Sequence, residues 1–464
     1  MKRFLAILLL FASFACAFAQ PAPGLTHGQG DARYAQRYIT PANRNVALLG
    51  DSRCARAIST SGSAITYENS IFINWLRFWT NQSFYFDQNY NYGVSGDTTE
   101  DTLARTDAAL AACNAGTWVV LVGINDRGSS WTAARSETAM ASIISKIHNA
   151  GRICIIIAET PKGSTDFATY YNATQASYVA DYKRWLNLQS ATPGVYVIDP
   201  WPGLVDVAAA NASFLNTYTV DAVHPGPKAG WTTALAMLPL FQHLFPSPTQ
   251  LILPQDNTDV YDATYNPYGV YNSNPMMIGT GGTAGTGGSG SVATGYTGAN
   301  SSGAALVTRT YSKVSSTATN GISTAWQQVV LTGTPTGSTP TVDALKVVSL
   351  QSNFATGDNI EAFARIQWDA SPTGIYGITM RLRFIASGST FAEWKDMDGY
   401  TEAFVIPSTA NEGVLYIPNV TVPNMSTVTD VQLIIYVQAI QNSAISATIR
   451  VTNMGVRKVR PVGS

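Results

Sequence analysis

Charge is scarce in this sequence. Asp, Glu, Lys and Arg make up 12% of the 464 residues, and the formal net charge at pH 7 is −1. With no basic excess, neither nucleic acid nor an anionic membrane surface is selected as a partner. Cysteine is nearly absent, at positions 16, 54, 113 and 154. No Cys-x-x-Cys pair or Cys/His cluster has metal-ligand spacing, so no metal site is assigned. Cys54, Cys113 and Cys154 sit in apolar neighbourhoods and are expected to be buried free thiols; one disulfide with one thiol left over is the alternative in an oxidising compartment. There are four histidines, which leaves few candidates for a general base. Long apolar runs are also missing beyond the N-terminus. There, Lys2 and Arg3 precede an apolar stretch over residues 4–18 that ends in Ala17-Phe18-Ala19. The stretch is short for a bilayer span of about 20 residues. It reads as a signal peptide cleaved after Ala19, which predicts a secreted or periplasmic protein.

What is present is length and apolar content. At 464 residues and 45% hydrophobic, the chain is enough for two or three domains. Residues 20–43, with Pro21, Pro23, Gly24, Gly28 and Gly30, read as an extended lead-in. From Val46 onward, strand-like and helix-like patterns alternate. Apolar runs at 46–49, 117–122, 153–158 and 195–198 suit strands covered on both faces, and a further strand is expected within 84–94. Helical periodicity appears at 71–79, 98–112, 131–149, 181–188 and 231–244. The Trp- and Phe-rich stripe of 71–79 reads as core rather than as a sugar platform. This rhythm predicts a parallel, doubly wound α/β sheet, in which ligands bind beyond the carboxyl ends of the strands.

Three short motifs fall at those ends: Gly50-Asp51-Ser52, Ser95-Gly96-Asp97 and Gly123-Ile124-Asn125-Asp126. A strand that stops at glycine before Ser52 reads as a strand–turn–helix corner that lifts the hydroxyl above the sheet. Serine becomes a useful nucleophile only when a base takes its proton and donors receive the oxyanion. His224 supplies the base, because Asp221 stands three residues before it in a loop flanked by Pro and Gly, close enough to fix its tautomer. His148 and His243 lie on helical segments, and His27 in the lead-in, where the ordinary surface role is expected.

Taken in order, these blocks resemble the SGNH (GDSL) hydrolases over about residues 44–250. The resemblance implies a flavodoxin-like three-layer α/β/α domain. It also implies Ser52 as nucleophile, Gly96 (not Gly93) as a backbone oxyanion donor with the Ser52 N–H, Asn125 as the side-chain donor, and Asp221 and His224 as the remaining triad. Two-step acyl transfer on an ester follows, with no cofactor. Arg53, where many members carry a small residue, is expected to put positive charge at the rim of the site. Together with Asp97 and Val223 it is a candidate for substrate binding. The long interval between Ser52 and Gly96 is expected to reshape the acyl pocket.

After residue 250 the pattern changes. Residues 251–272 read as a linker, and the Gly/Thr/Ser-rich stretch 279–298 as a flexible linker or an irregular strand. From Ala305 the period is two, with short strands at 326–331, 360–366, 376–384, 414–417, 431–437 and 447–451, the pattern of a β-sandwich over 273–464. The order of Asn274-Pro275, Gly295-Tyr296, Trp326 to Val329 and Gly357-Asp358 is similar to galactose-binding-like jelly rolls, the fold of many carbohydrate-binding modules. Trp326, Trp368, Trp394 and Tyr400 are candidate stacking aromatics, with core packing the commoner fate of such residues. The expected function is a secreted serine esterase that deacetylates a polysaccharide. The alternatives are a lipase, aryl esterase or thioesterase of the same family, or a non-catalytic carbohydrate-binding or attachment protein, since Gly30-Asp31-Ala32-Arg33-Tyr34 resembles stretches of phage tail fibres.

Overall fold

The computed structural model describes residues 41–128, 131–209, 211–246, 253–301, 303–317, 323–402 and 405–459. The expected signal peptide and the lead-in up to residue 40 lie outside the described residues.

The N-terminal half forms the expected parallel sheet. Strands β1 (Val46–Gly50), β4 (Asn91–Gly93), β5 (Thr117–Leu121), β6 (Ile153–Ile157) and β7 (Val195–Ile198) pair in the order β4-β1-β5-β6-β7. Both faces are covered, so alternate residues enter different cores. Val46, Leu48, Val119, Leu121, Ile153, Ile155 and Ile157 face one; Ala47, Leu49, Trp118, Val120, Cys154 and Ile156 face the other. That is why the strands read as continuous apolar runs. The second core is closed by α3 (Thr99–Ala112), α5 (Ala133–Asn149) and α6 (Ala173–Gln189). Their starts are chemically marked. Thr98 and Asp101 make a reciprocal capping box at α3, Asn172 and Gln175 do the same at α6, and the Thr132 hydroxyl caps α5. The capping pair at Asn172 starts α6 eight residues before the periodic segment at 181. The three cysteines are free and buried, and burial raises the Cys154 thiol to about 12.

The C-terminal half is a β-sandwich of two sheets. One sheet has the order β17-β14-β19-β12-β11-β9, built from β9 (Gly288–Gly290), β11 (Val307–Thr317), β12 (Ser323–Gly333), β14 (Asn359–Trp368), β17 (Asn411–Thr421) and β19 (Ile445–Lys458). The other contains β8 (Gly281–Thr283), β10 (Val292–Asn300), β13 (Thr341–Val347), β15 (Ile375–Ala386), β16 (Ser389–Asp398) and β18 (Val428–Ala439). The Gly-rich stretch at 279–298 is therefore strand and not a flexible linker. Its glycines let neighbouring backbone approach where a side chain would collide, as at Gly282 against Ala293 O and Gly290 against Tyr311 O. The end of the 251–272 stretch is also packed: Val270 and Tyr271 are buried, and the Tyr271 N–H donates to Val456 O at 2.8 Å.

The second sheet has two more strands, and they come from the other half of the chain. A hairpin of β2 (Ile58–Ser61) and β3 (Ala64–Glu68), inserted just after Ser52, extends the sheet to eight strands in the order β2-β3-β16-β15-β18-β13-β10-β8. Strand β3 runs parallel to β16, with Ile65 opposite Trp394 and Glu68 opposite Asp398. The helix that follows, α2 (Phe72–Trp79), has no solvent face. Phe78 stacks on Trp368 at a centroid distance of 5.4 Å, and Trp75 meets the same indole edge-on at 6.2 Å. Arg77, 1% exposed, pairs with Asp396 at 3.0 Å and donates to Tyr416 O at 2.6 Å. The Trp-rich stripe is core, as expected, but it is the core that the two halves share. One continuous apolar cluster contains Val46, Trp75 and Phe241 together with Val329, Ile366 and Leu433.

Candidate active site

The register of the parallel sheet sets the site. Gly50 lies opposite both Gly93 and Leu121, so the chain segments leaving β1, β4 and β5 emerge side by side. The first enters α1 (Ser52–Ala55), the third α4 (Ile124–Gly128), and the second the turn that carries Gly96.

Ser52 is 8% exposed, and its Oγ lies 2.7 Å from His224 Nε2. His224 Nδ1 lies 2.6 Å from Asp221 Oδ2. Burial alone would raise the Asp221 pKa. The His224 ring and the backbone N–H groups of His224 and Val223 outweigh that and lower it to about 2. An ionised carboxylate only accepts hydrogen bonds, so Nδ1 carries the proton and Nε2 is left to accept from the Ser52 hydroxyl. The loop that holds the pair is pinned from below. His224 O accepts from Val220 N–H at 2.9 Å and from the Thr219 hydroxyl at 2.8 Å, and Ala222 O accepts from Gly163 N–H at 2.8 Å. Ala222 has a φ of +77°, a sparsely populated conformation for alanine, and the surrounding bonds hold it there.

The three expected oxyanion donors lie on the turns and helix starts that follow β1, β4 and β5. The N–H groups of Ser52 and Gly96 find no acceptor among the described residues. The Asn125 amide gives one N–H to Asp97 O at 2.8 Å, which orients the side chain and leaves its second N–H unused. Gly96 needs to be glycine because its φ is +89°. Gly93 has a different reason: a Cβ there would lie 2.1 Å from Ala55 N, so it lets β4 pass close to α1. Asp97 does not face outward. Its carboxylate accepts from Arg105 Nε at 2.6 Å, and Arg105 in turn donates to Tyr92 O and Gly50 O, which ties the Gly96 turn to the end of β1. Val223 is half-buried beside Ile124 and Tyr171, next to the Asn125 turn.

Arg53 does not reach the rim. It is 1% exposed and points beneath the serine, forked on Asp51 through Nε at 3.0 Å and Nη2 at 2.7 Å. Nη1 pairs with Glu159 and donates to the Thr160 hydroxyl at 3.0 Å. Asp51 is itself fully buried and caps α1 by accepting from Arg53 N–H. Arg53 thus places no positive charge at the rim, because two carboxylates neutralise it in the interior. A buried pair of this kind, once broken, costs roughly 3–5 kcal/mol. It clamps the nucleophile turn in place.

Sequence reasoning missed Glu159, although it is the first charged residue after the buried strand β6 and lies at the same sheet edge as the other motifs. It also gave no role to Asp126. That side chain is fully buried and accepts from the Thr99 N–H and hydroxyl and from Ser136, locking the starts of α3 and α5 behind Asn125. Of the four candidate stacking aromatics, Trp326 and Trp368 are buried and Trp394 packs against the core; Tyr400 is 44% exposed.

Residues 48–229 match the GDSL-like lipase/acylhydrolase family. No curated protein matches the chain. Solved structures similar to the α/β half include a member of the lipolytic protein G-D-S-L family from Veillonella parvula DSM 2008, 15% identical with a TM-score of 0.33, the match covering 43% of this chain and 99% of that one. A GDSL-like lipase from Bacteroides thetaiotaomicron VPI-5482 is 16% identical with a TM-score of 0.31, over 52% of this chain and all of that one. An acetyl xylan esterase is 14% identical with a TM-score of 0.32, over 42% of this chain and 98% of that one.

Proposed function

We propose, from the match of residues 48–229 to the GDSL-like lipase/acylhydrolase family, that the protein is a serine esterase that removes acetyl groups from an exported or extracellular polysaccharide. The observation that carries the reading is the continuous relay from Ser52 Oγ through His224 to Asp221. His224 takes the Ser52 proton as Oγ attacks the ester carbonyl. The Ser52 and Gly96 N–H groups and the Asn125 amide receive the oxyanion, and His224, now doubly protonated and paired with ionised Asp221, returns the proton to the departing alcohol. Water, deprotonated by the same imidazole, then releases the acid from Ser52. Each step uses groups of this chain alone.

The carbohydrate part of the reading is supported by the β-sandwich packed beside the α/β half and by the resemblance of its sequence blocks, Asn274-Pro275, Gly295-Tyr296, Trp326 to Val329 and Gly357-Asp358, to those of galactose-binding-like carbohydrate-binding modules. Export is supported by the N-terminal sequence pattern. The test is acetate release from an aryl acetate and from acetylated xylan, by the natural protein and by Ser52→Ala. Release from both substrates, abolished in the variant, is expected. A folded natural protein that is inert on both, and on longer acyl esters, overturns the reading. An intact polysaccharide beside a cleaved aryl acetate overturns only the choice of substrate. Export is checked separately, by finding Gln20 as the first residue of the protein recovered outside the cytoplasm.

A further inference from the structure

In acyl transfer the leaving alcohol departs past the histidine that protonates it. Whatever borders His224 and Asp221 therefore meets the non-acyl part of the ester. Two side chains lie there, one from each half of the molecule. Arg56, at the C-cap of α1 one turn beyond Ser52, brings Nη1 to 4.0 Å from Asp221 Oδ2, the oxygen that binds the His224 ring. Its Nη2 is buried and has no hydrogen-bond partner among the described residues. Its guanidinium lies over the ring of Tyr400, with Cζ 4.1 Å from the centroid.

Tyr400 belongs to the sandwich, two residues past the end of β16, yet its position is fixed by the hydrolase half. Asn69, at the end of the inserted hairpin, donates from its backbone to Asp398 O at 2.9 Å and from its side chain to Tyr376 O at 3.1 Å. Gly399 N–H donates to Gln438 Oε1 at 2.7 Å. The ring is held at a fixed place and still left 44% exposed. A partly exposed aromatic that no core requires, backed by a guanidinium that borders Asp221, presents an apolar face beside the Ser52–His224–Asp221 relay.

We propose that Arg56 and Tyr400 form the subsite for the alcohol side of the ester and that it takes a sugar ring. The exposed part of the tyrosine ring packs against the C–H face of a pyranose, and Arg56 backs the ring from its other side. This rests on the carbohydrate-ester reading above and deepens it: the sandwich contributes directly to the catalytic mouth and does not act only as a distant anchor.

The experiment uses full-length Ser52→Ala protein, which cannot turn substrate over, and measures binding of acetylated xylo-oligosaccharide by calorimetry. Adding Tyr400→Ala is expected to weaken binding about tenfold or more, whereas Tyr400→Phe, which keeps the ring, holds it within about threefold. In protein with Ser52 intact, Tyr400→Ala is expected to lower kcat/KM on the acetylated oligosaccharide by a larger factor than on an aryl acetate, mainly through KM. Unchanged binding on Tyr400→Ala, or equal losses on both substrates with KM fixed, overturns the subsite. So does a parent that cleaves aryl acetate but binds no acetylated oligosaccharide, and in that case ester hydrolysis still stands. Tyr400-dependent binding by a protein that hydrolyses no ester supports the subsite and overturns the esterase reading instead.

Discussion

The Arg77–Asp396 pair offers a quantitative test of how firmly the two halves are joined. Both side chains are buried, at 1% and 2% exposure, and they sit on different halves of the molecule. Arg77 also donates to Asn74 Oδ1 and Tyr416 O and lies 4.4 Å from the Tyr67 ring centroid, while Asp396 accepts from Tyr416 N–H at 2.8 Å. In Arg77→Met the aspartate keeps its charge but loses its partner. Breaking a buried pair in this way costs about 3–5 kcal/mol. In Arg77→Met/Asp396→Asn no charge is stranded, and the asparagine oxygen can still accept from Tyr416 N–H. The residual cost is then the lost bond to Tyr416 O, roughly 1–2 kcal/mol. Measured by denaturant unfolding followed through tryptophan fluorescence, the double variant is expected to be more stable than Arg77→Met alone by about 2–3 kcal/mol. The pH dependence adds a second constraint. Burial raises the Asp396 pKa, with Arg77 pulling it back down. Without Arg77 the folded state holds the proton more tightly than the unfolded state does, so stability falls as pH rises. The deficit of Arg77→Met relative to the natural protein is therefore expected to be larger at pH 8 than at pH 5. A recovery under about 0.5 kcal/mol on adding Asp396→Asn, or a deficit that does not change with pH, refutes the argument that this pair is a buried link between the halves.

Two further outcomes are expected at the catalytic site. Asn125→Ala removes one oxyanion donor and is expected to lower kcat on an aryl acetate by about 10²–10³ with little change in KM, measured by steady-state kinetics. Asp221→Asn keeps the shape but loses the acceptor that fixes the imidazole tautomer, and a fall in kcat on the order of 10⁴ is expected. The same variant tests linkage. The folded-state pKa of Asp221 is lowered to about 2, so its contribution to stability is present above the ordinary carboxylate range and is lost as pH falls through that value. Acid unfolding of Asp221→Asn is expected to be less steep below pH 4 than that of the natural protein.

The parallel sheet and its four motifs were legible because their information is local. Leu49-Gly50 followed by Ser52, or Val122-Gly123 followed by Asn125, states both the end of a buried strand and the residue placed there. Six strands of the sandwich, β12, β14, β15, β17, β18 and β19, were legible for the same reason, since a two-residue period needs no knowledge of the partner, whereas β11, β13 and β16 were not anticipated. What the sequence could not give was partnership across distance. The stripe of residues 71–79 announced a buried helix, but nothing in it names Trp368 as the ring that covers Phe78. Arg53 looked like a charge at the rim because its neutralising partner, Glu159, lies 106 residues away. Residues 58–68 carry too few apolar positions to declare a sheet, and the strand beside them, β16, comes from the far end of the chain.

The inserted hairpin has a consequence in time. Arg77 and Asp396 are 319 residues apart. At synthesis rates of about 5–20 residues per second, β16 follows the hairpin by roughly 15–60 s. During that interval the nucleophile turn is complete in sequence, but β3 has an unpaired edge and α2 has nothing over Trp75 and Phe78. The first half therefore emerges with its chemistry encoded and its core open, a delay far longer than a hairpin needs to form. Its closure waits on Trp368 and β16, which makes the sandwich the lid of the folding reaction of the α/β half and not a passenger added after it.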